Sequence, residues 1–208
     1  MKGEMLGAFL LALMIFSFSV SLIPLGYFSY RSSGDIVRLG KKDIEIYMDF
    51  GILELSGTNE SEPYALIRGS ISSKEGKVEG SIGSVSLYIP EGWEGLIRVT
   101  MRSGIVVLND SELGELSVKI GIGLVQGEIV ALKRVLIDIG TGTVSLMLRV
   151  QEGSGVIVKL DCDRSYLRYD GGSLRGESVE IVLWEGSPQL QVEIRANVAE
   201  LNIIRMKG

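Results

Sequence analysis

Histidine is absent from the 208 residues. That removes the commonest general base, the commonest metal ligand and the usual base of a hydrolase triad. Cysteine occurs once, as Cys162, so the chain can neither close an internal disulfide nor build a thiolate metal site, and a buried apolar thiol is the simpler reading. Positive charge is also in short supply: 21 Lys and Arg against 26 Asp and Glu give a formal net charge of -5. No stretch gathers the cations on one face, so the electrostatic footprint of a nucleic-acid binder is missing and no nucleic acid is expected as a partner. No metal or cofactor is expected from this residue set.

What the chain does have is an excess of apolar residues, 46% in all, much of it in the first thirty positions. "MLGAFLLALMIFSFSVSLIPLGYF", residues 5–28, carries no charge over 24 residues, enough for a helix to cross a bilayer core of about 30 Å. Residues 1–30 therefore read as an uncleaved membrane anchor. A signal peptide cut near Ser19-Val20-Ser21 is the alternative, although its apolar run would be unusually long. Tyr27, Phe28 and Tyr30 suit interfacial anchors. Arg31, Arg38, Lys41 and Lys42 outnumber Lys2 and, by the positive-inside rule, place the C-terminal domain in the cytoplasm. Two sequons, Asn59-Glu60-Ser61 and Asn109-Asp110-Ser111, in expected turns would suit an outside domain, with Asn59 and Asn109 as glycan acceptors. A lone N-terminal span before a β-rich domain is the usual plan of an exported, tethered protein, which favours an extracytoplasmic domain on a single-pass membrane protein.

Beyond a linker and first strand at 31–42, residues 43–208 show apolar and polar residues alternating in short runs punctuated by glycine. Three runs align: "IRVTMRSGIVVL", "LSVKIGIGLVQG" and "VLIDIGTGTVSL", whose glycines Gly104, Gly123 and Gly142 are spaced by 19 and 19 residues. Stacked on that period, columns such as Val99, Val118, Ile137 and Val106, Val125, Val144 are apolar throughout, while Thr100, Lys119, Asp138 are not. Apolar positions fall at odd offsets before the glycine and even offsets after it. With a side-chain period of 2, both strands face one core only if the chain turns a corner at the glycine, where positive φ would be free of a Cβ penalty.

The template extends upstream to Gly51 and to Gly83, although the strand leading into Gly83 is poor. Downstream it extends to Asp163, a residue that also tolerates the left-handed region, and to Gly186. About seven such units, each unable to bury its own face, predict a solenoid column roughly 30 Å tall. An antiparallel sandwich of hairpins is the rival, and the near-identical columns favour stacked coils. The wider spacing between Gly51 and Gly83 predicts a protruding loop at "SGTNESEP", 56–63. "YIPEGWEG", 88–95, predicts a turn that exposes Trp93, and "VAELNIIRMK" ends the stack as a capping strand.

"GSVSLYIPEGWEGLIRVTMRSGIVVL", with "VKIGIG" and "IDIGTGTVSL" after it, resembles the Toastrack-type β-strand-repeat proteins of bacteria and archaea. Among these are adhesin-like families of unassigned function and the C-terminal domains of cell-wall-stress response proteins. The resemblance covers residues about 43–194. It implies a single-stranded, right-handed β-helix-like domain, often membrane-tethered and used in envelope-associated interactions, and it carries over no catalytic residues.

Gly121-x-Gly123 resembles the start of a dinucleotide turn, but Gln126 stands where the third glycine belongs and a strand comes next instead of a helix, so no nucleotide is expected. Asp161, Asp163 and Asp170, with Arg164 and Arg168, are the best catalytic candidates, because paired carboxylates on a β-helix flank suit polysaccharide cleavage. A solvated edge alternating with inward Leu160 and Cys162 accounts for them outright and is the simpler reading, with a bound cation such as calcium as a further alternative. Trp93 is a possible partner contact; Trp184 reads as closing the core. The functional expectation is a non-enzymatic, adhesin-like interaction or scaffold module, with self-association or an envelope protein as partner. A glycan-acting enzyme and a cytoplasmic regulatory domain are the alternatives.

Overall fold

The computed structural model describes residues 34–40 and 43–206. The expected anchor at 5–28 and the cations Arg31, Lys41 and Lys42 lie outside them. Among the described residues there is no helix, and so none long and apolar enough to cross a membrane. The strands are β1 (Asp35–Arg38), β2 (Ile44–Thr58), β3 (Tyr64–Lys74), β4 (Lys77–Pro90), β5 (Leu96–Val150), β6 (Gly155–Tyr169), β7 (Gly172–Trp184) and β8 (Gln189–Arg205). All belong to one open sheet ordered β1-β3-β4-β2-β5-β8-β6-β7.

The three 19-residue copies lie within the 55 residues of β5 and stack on one another: the backbone of Gly123 lies against Gly104, and that of Gly142 against Gly123. On either side the neighbours are parallel, with β4 on β2, β2 on β5, β5 on β8 and β8 on β6. Parallel pairing in register puts like positions over like. Ile46 sits on Val99 and Leu53 on Val106, and the apolar columns predicted from alternation are buried, with Ile97, Val99, Val106, Val125, Val144 and Leu160 at 0–1% exposure. Each such side chain contributes on the order of 1.5–3 kcal/mol on leaving water.

The chain does not fill this stack in sequence order. The wide spacing between Gly51 and Gly83 comes not from one protruding loop but from an inserted strand, β3. Its tight turn at Glu75 and Gly76, both at positive φ, folds β4 back antiparallel to β3. β4 thereby lands on the outer side of β2 and leaves the inner side to β5. The strand leading into Gly83, poor in sequence, is regular: Val78 is fully buried, and the Ile71 side chain occupies the space over Gly80. At the other end β8 slots between β5 and β6. "VAELNIIR" is therefore the second half of an interior strand rather than a terminal cap.

Candidate functional site

The glycine column is real but its cause differs from the expected one. Gly51, Gly83, Gly104 and Gly123 do not have positive φ; of the predicted corner glycines, only Gly142 does, at 154°. What demands glycine is the stacking. A Cβ on Gly51, Gly104, Gly123 or Gly142 would approach the carbonyl oxygen of the glycine in the adjacent layer closer than 3.0 Å, and one on Gly83 would meet the Arg68 carbonyl in the same way. Gly121 and Gly140 similarly lie over the Arg102 and Gly121 carbonyls. With β5 continuing through them, the helix that a dinucleotide turn needs is replaced by strand.

Gly186 is not a corner. It lies between β7 and β8 against Gly153, because β7 returns antiparallel and takes no place in the parallel column. The corner of β8 is Asn197. Leu190, Val192, Ile194 and Ala196 are buried before it, and Ala199, Leu201 and Ile203 after it. That is the same switch of phase, and it was readable from the sequence once glycine was not required. Asp163 does take the corner of β6, with Cys162 beside Ala196 and Arg164 beside Val198 on either side of it.

Two corner sizes meet here. Between Asp138 and Thr143 four residues bridge the corner of β5, whereas only Ala196 and Asn197 lie between Arg195 and Val198. The step leaves an open groove of about 620 Å³ at the edge of the glycine ridge, lined by Asp138, Asp161, Asp163, Glu177, Arg195 and Asn197 among others. Asn197 ties the layers together: its Oδ1 accepts the Gly142 N–H at 2.8 Å, and its Nδ2 donates to Asp163 at 2.7 Å. Arg195 Nε donates to Asp161 at 3.4 Å. Asp161 and Asp163 thus share one groove, as the alternation suggested, and are held by Arg195 and Asn197 rather than by Arg164 and Arg168.

Asp170 is not part of the groove; it accepts the Arg205 N–H at 3.2 Å. Among the described residues no three metal-binding side chains converge. Cys162 is buried, and burial pushes its thiol above the ordinary value. Its small side chain suits the tighter corner, where it faces Ala196.

Trp93 is not exposed. It is 9% exposed within the core cluster, packed over Gly95, its chain drawn back by a Trp93 N–H to Pro90 carbonyl bond of 3.2 Å. The turn at Glu91-Gly92 exists, but it tucks the indole inward. Trp184 is half-buried at the edge of the core, with the Arg205 guanidinium 4.3 Å from its ring centroid. Asn59 is exposed in the turn after β2, whereas Asn109 lies within β5 and the hydroxyl of its Ser111 is buried. Tyr166 carries Arg168 and Arg175 against its ring at 6.0 and 4.9 Å, and the Arg168 guanidinium holds its phenol below the ordinary value.

Sequence reasoning looked only for inward columns and so missed what tips the wide corners. Ile82, Phe50 and Ile122 stand 60%, 46% and 61% exposed, with Ile105 just past the next glycine at 37%. Phe50 pairs with Ile82 on one side of the glycine column and Ile52 with Ile105 on the other, while Ser103 lies opposite Phe50 in β5, so the exposed apolar residues form small patches flanking the ridge.

No protein-family model matches the chain, and no curated protein matches it either. A crystal structure from Clostridium sporogenes, described as "a putative cell adhesion protein", is similar at TM-score 0.54 and 18% identity, covering 83% of this chain and 98% of that one. At that identity the likeness is one of fold: the chain is a mainly β protein of that architecture.

Proposed function

We propose that this chain is a membrane-anchored, non-enzymatic β-solenoid that acts as an envelope-associated interaction or scaffold module, adhesin-like and facing outward. In this reading β4, β2, the three copies in β5, β8 and β6 are the coils, residues 5–28 hold the domain at the membrane, and the working partner is a protein. The observation that carries it is the exposed apolar pair Phe50 and Ile82 beside the glycine ridge, with Ile105 and Ile122 exposed further along it, since exposed apolar patches on an ordered surface mark contact sites. The ties from Asp161 to Arg195 and from Asp163 to Asn197 further support structure over glycan cleavage at the groove. The fold likeness to a protein described as a cell adhesion protein points the same way.

Protease added to intact cells tests the placement. Digestion of the domain from outside is the expected result. Full protection until the membrane is opened would overturn it in favour of a cytoplasmic regulatory domain.

A further inference from the structure

β7 is the last strand of the sheet and pairs only with β6 among the described residues, so one edge of its 13-residue backbone is unpaired. Such an edge is a template for another strand. The opposite end is blunted, because β1 is only four residues long and covers only the Tyr64–Ile67 half of β3. The β7 end is also where the core is least closed: Leu174, Val179, Ile181 and Leu183 pack against it yet are only half-buried.

We propose that β7 pairs antiparallel with β7 of a second copy of this chain. The register is set by the corner. β7 turns with the layer beneath it, so Leu174 points inward before the turn and Val179, Ile181 and Leu183 after it, with Glu177 between. Inward positions are even on one arm and odd on the other. A two-fold axis through the corner exchanges the arms and reverses the stack, and only an odd-sum register keeps inward over inward.

The register in which Glu177 faces Ser178 puts Leu174 over Ile181 and Gly176 over Val179 inside, and Arg175 opposite Glu180 outside. The ion pair occurs twice by symmetry. Shifting the strands two residues one way sets Glu177 against Glu180, and two the other way sets Arg175 against Ser178, so charge selects the same register as the apolar face. Arg175 is already ordered against the Tyr166 ring at 4.9 Å.

The pair has a consequence for shape. The described chain begins at β1, and β7 closes the other end of the sheet, so a β7-to-β7 pair puts the two starting points at opposite poles. The pairing takes up the interaction-module reading and names a second copy as the partner. It does not need the outward placement: protease protection would sink the placement alone, and a monomeric chain would sink the pairing alone.

Sedimentation equilibrium of the full chain in density-matched detergent micelles tests it, comparing wild type with Arg175→Glu, Glu180→Arg and the double reversal. The wild type is expected to dimerise, each single reversal to raise the dimer Kd by about tenfold or more, and the double reversal to restore it. A wild-type circular dichroism spectrum and a cooperative melt in each variant check that they fold. A wild-type monomer would overturn the proposal, as would a dimer indifferent to the reversals, whose contact then lies elsewhere, or single-reversal losses that the double variant fails to recover.

Discussion

Replacing Gly123 by alanine adds one methyl group where the structure has least room for it. The new Cβ would press on the Gly104 carbonyl and on the Ile120 side chain, both closer than 3.0 Å. The carbonyl belongs to a strand clamped on both sides by parallel pairing, so it cannot swing aside as a side chain could. Overpacking of this kind costs about 1–3 kcal/mol, and contact with backbone puts Gly123→Ala near the upper end. For a chain of this size about 3 kcal/mol lowers Tm by roughly 6–12 °C.

Gly57→Ala is the matched control, since its Cβ would meet only the Asp110 carbonyl at an ordinary 3.4 Å, and it should stay within about 0.5 kcal/mol of wild type. Thermal unfolding followed by circular dichroism reads both. Gly123→Asn separates stacking from backbone conformation: asparagine tolerates positive φ, but φ at Gly123 is not positive, so Asn should be no better than Ala. A Gly123→Ala variant that melts with the control, or an Asn variant that rescues the loss, would refute the stacking argument.

Trp93→Ala should cost about 3–5 kcal/mol as a buried aromatic does, seen as a large fall in Tm, and an effect on partner binding without a stability loss would contradict its burial. Asn197→Ala leaves the Gly142 N–H without its acceptor and should cost about 1–3 kcal/mol by denaturant titration. The Cys162 thiol, pushed up by burial, should resist alkylation in the native state at pH 8 and react once the chain is unfolded. Tyr166 is held low by Arg168, so in an ultraviolet pH titration its ionisation should move to higher pH in Arg168→Ala. Because its pKa is depressed in the fold, the stability the phenolate contributes is fully present above the unfolded-state value and is lost as pH falls through the lowered one.

The repeat was legible because parallel stacking in register imposes the same burial on every copy, so Val99, Val118 and Ile137 had to be alike. The order of layers was not. Alternation reports which way a side chain faces and says nothing of which side of β2 a strand lands on, a choice made by the turn at Glu75 and Gly76. The cause of the glycines was hidden for a related reason, since close approach between layers and positive φ both select glycine. At the groove, Asp161 and Asp163 were found from their spacing, but Arg195 and Asn197 arrive from 34 residues away, a neighbourhood set by the insertion of β8 that no local pattern encodes. Trp93 misled because a Pro-Glu-Gly turn ordinarily exposes the next side chain, and here the fold turns the indole back onto the core.

An outward-facing module that works by holding protein neighbours should be caught doing so in intact cells, and cross-linking with a membrane-impermeant reagent reads this directly. Mass spectrometry of the cross-linked chain should find links from the exposed Lys77 and Lys133 of the domain to envelope proteins or to other copies of this chain. Links confined to cytoplasmic proteins after permeabilisation, with none in intact cells, would contradict it.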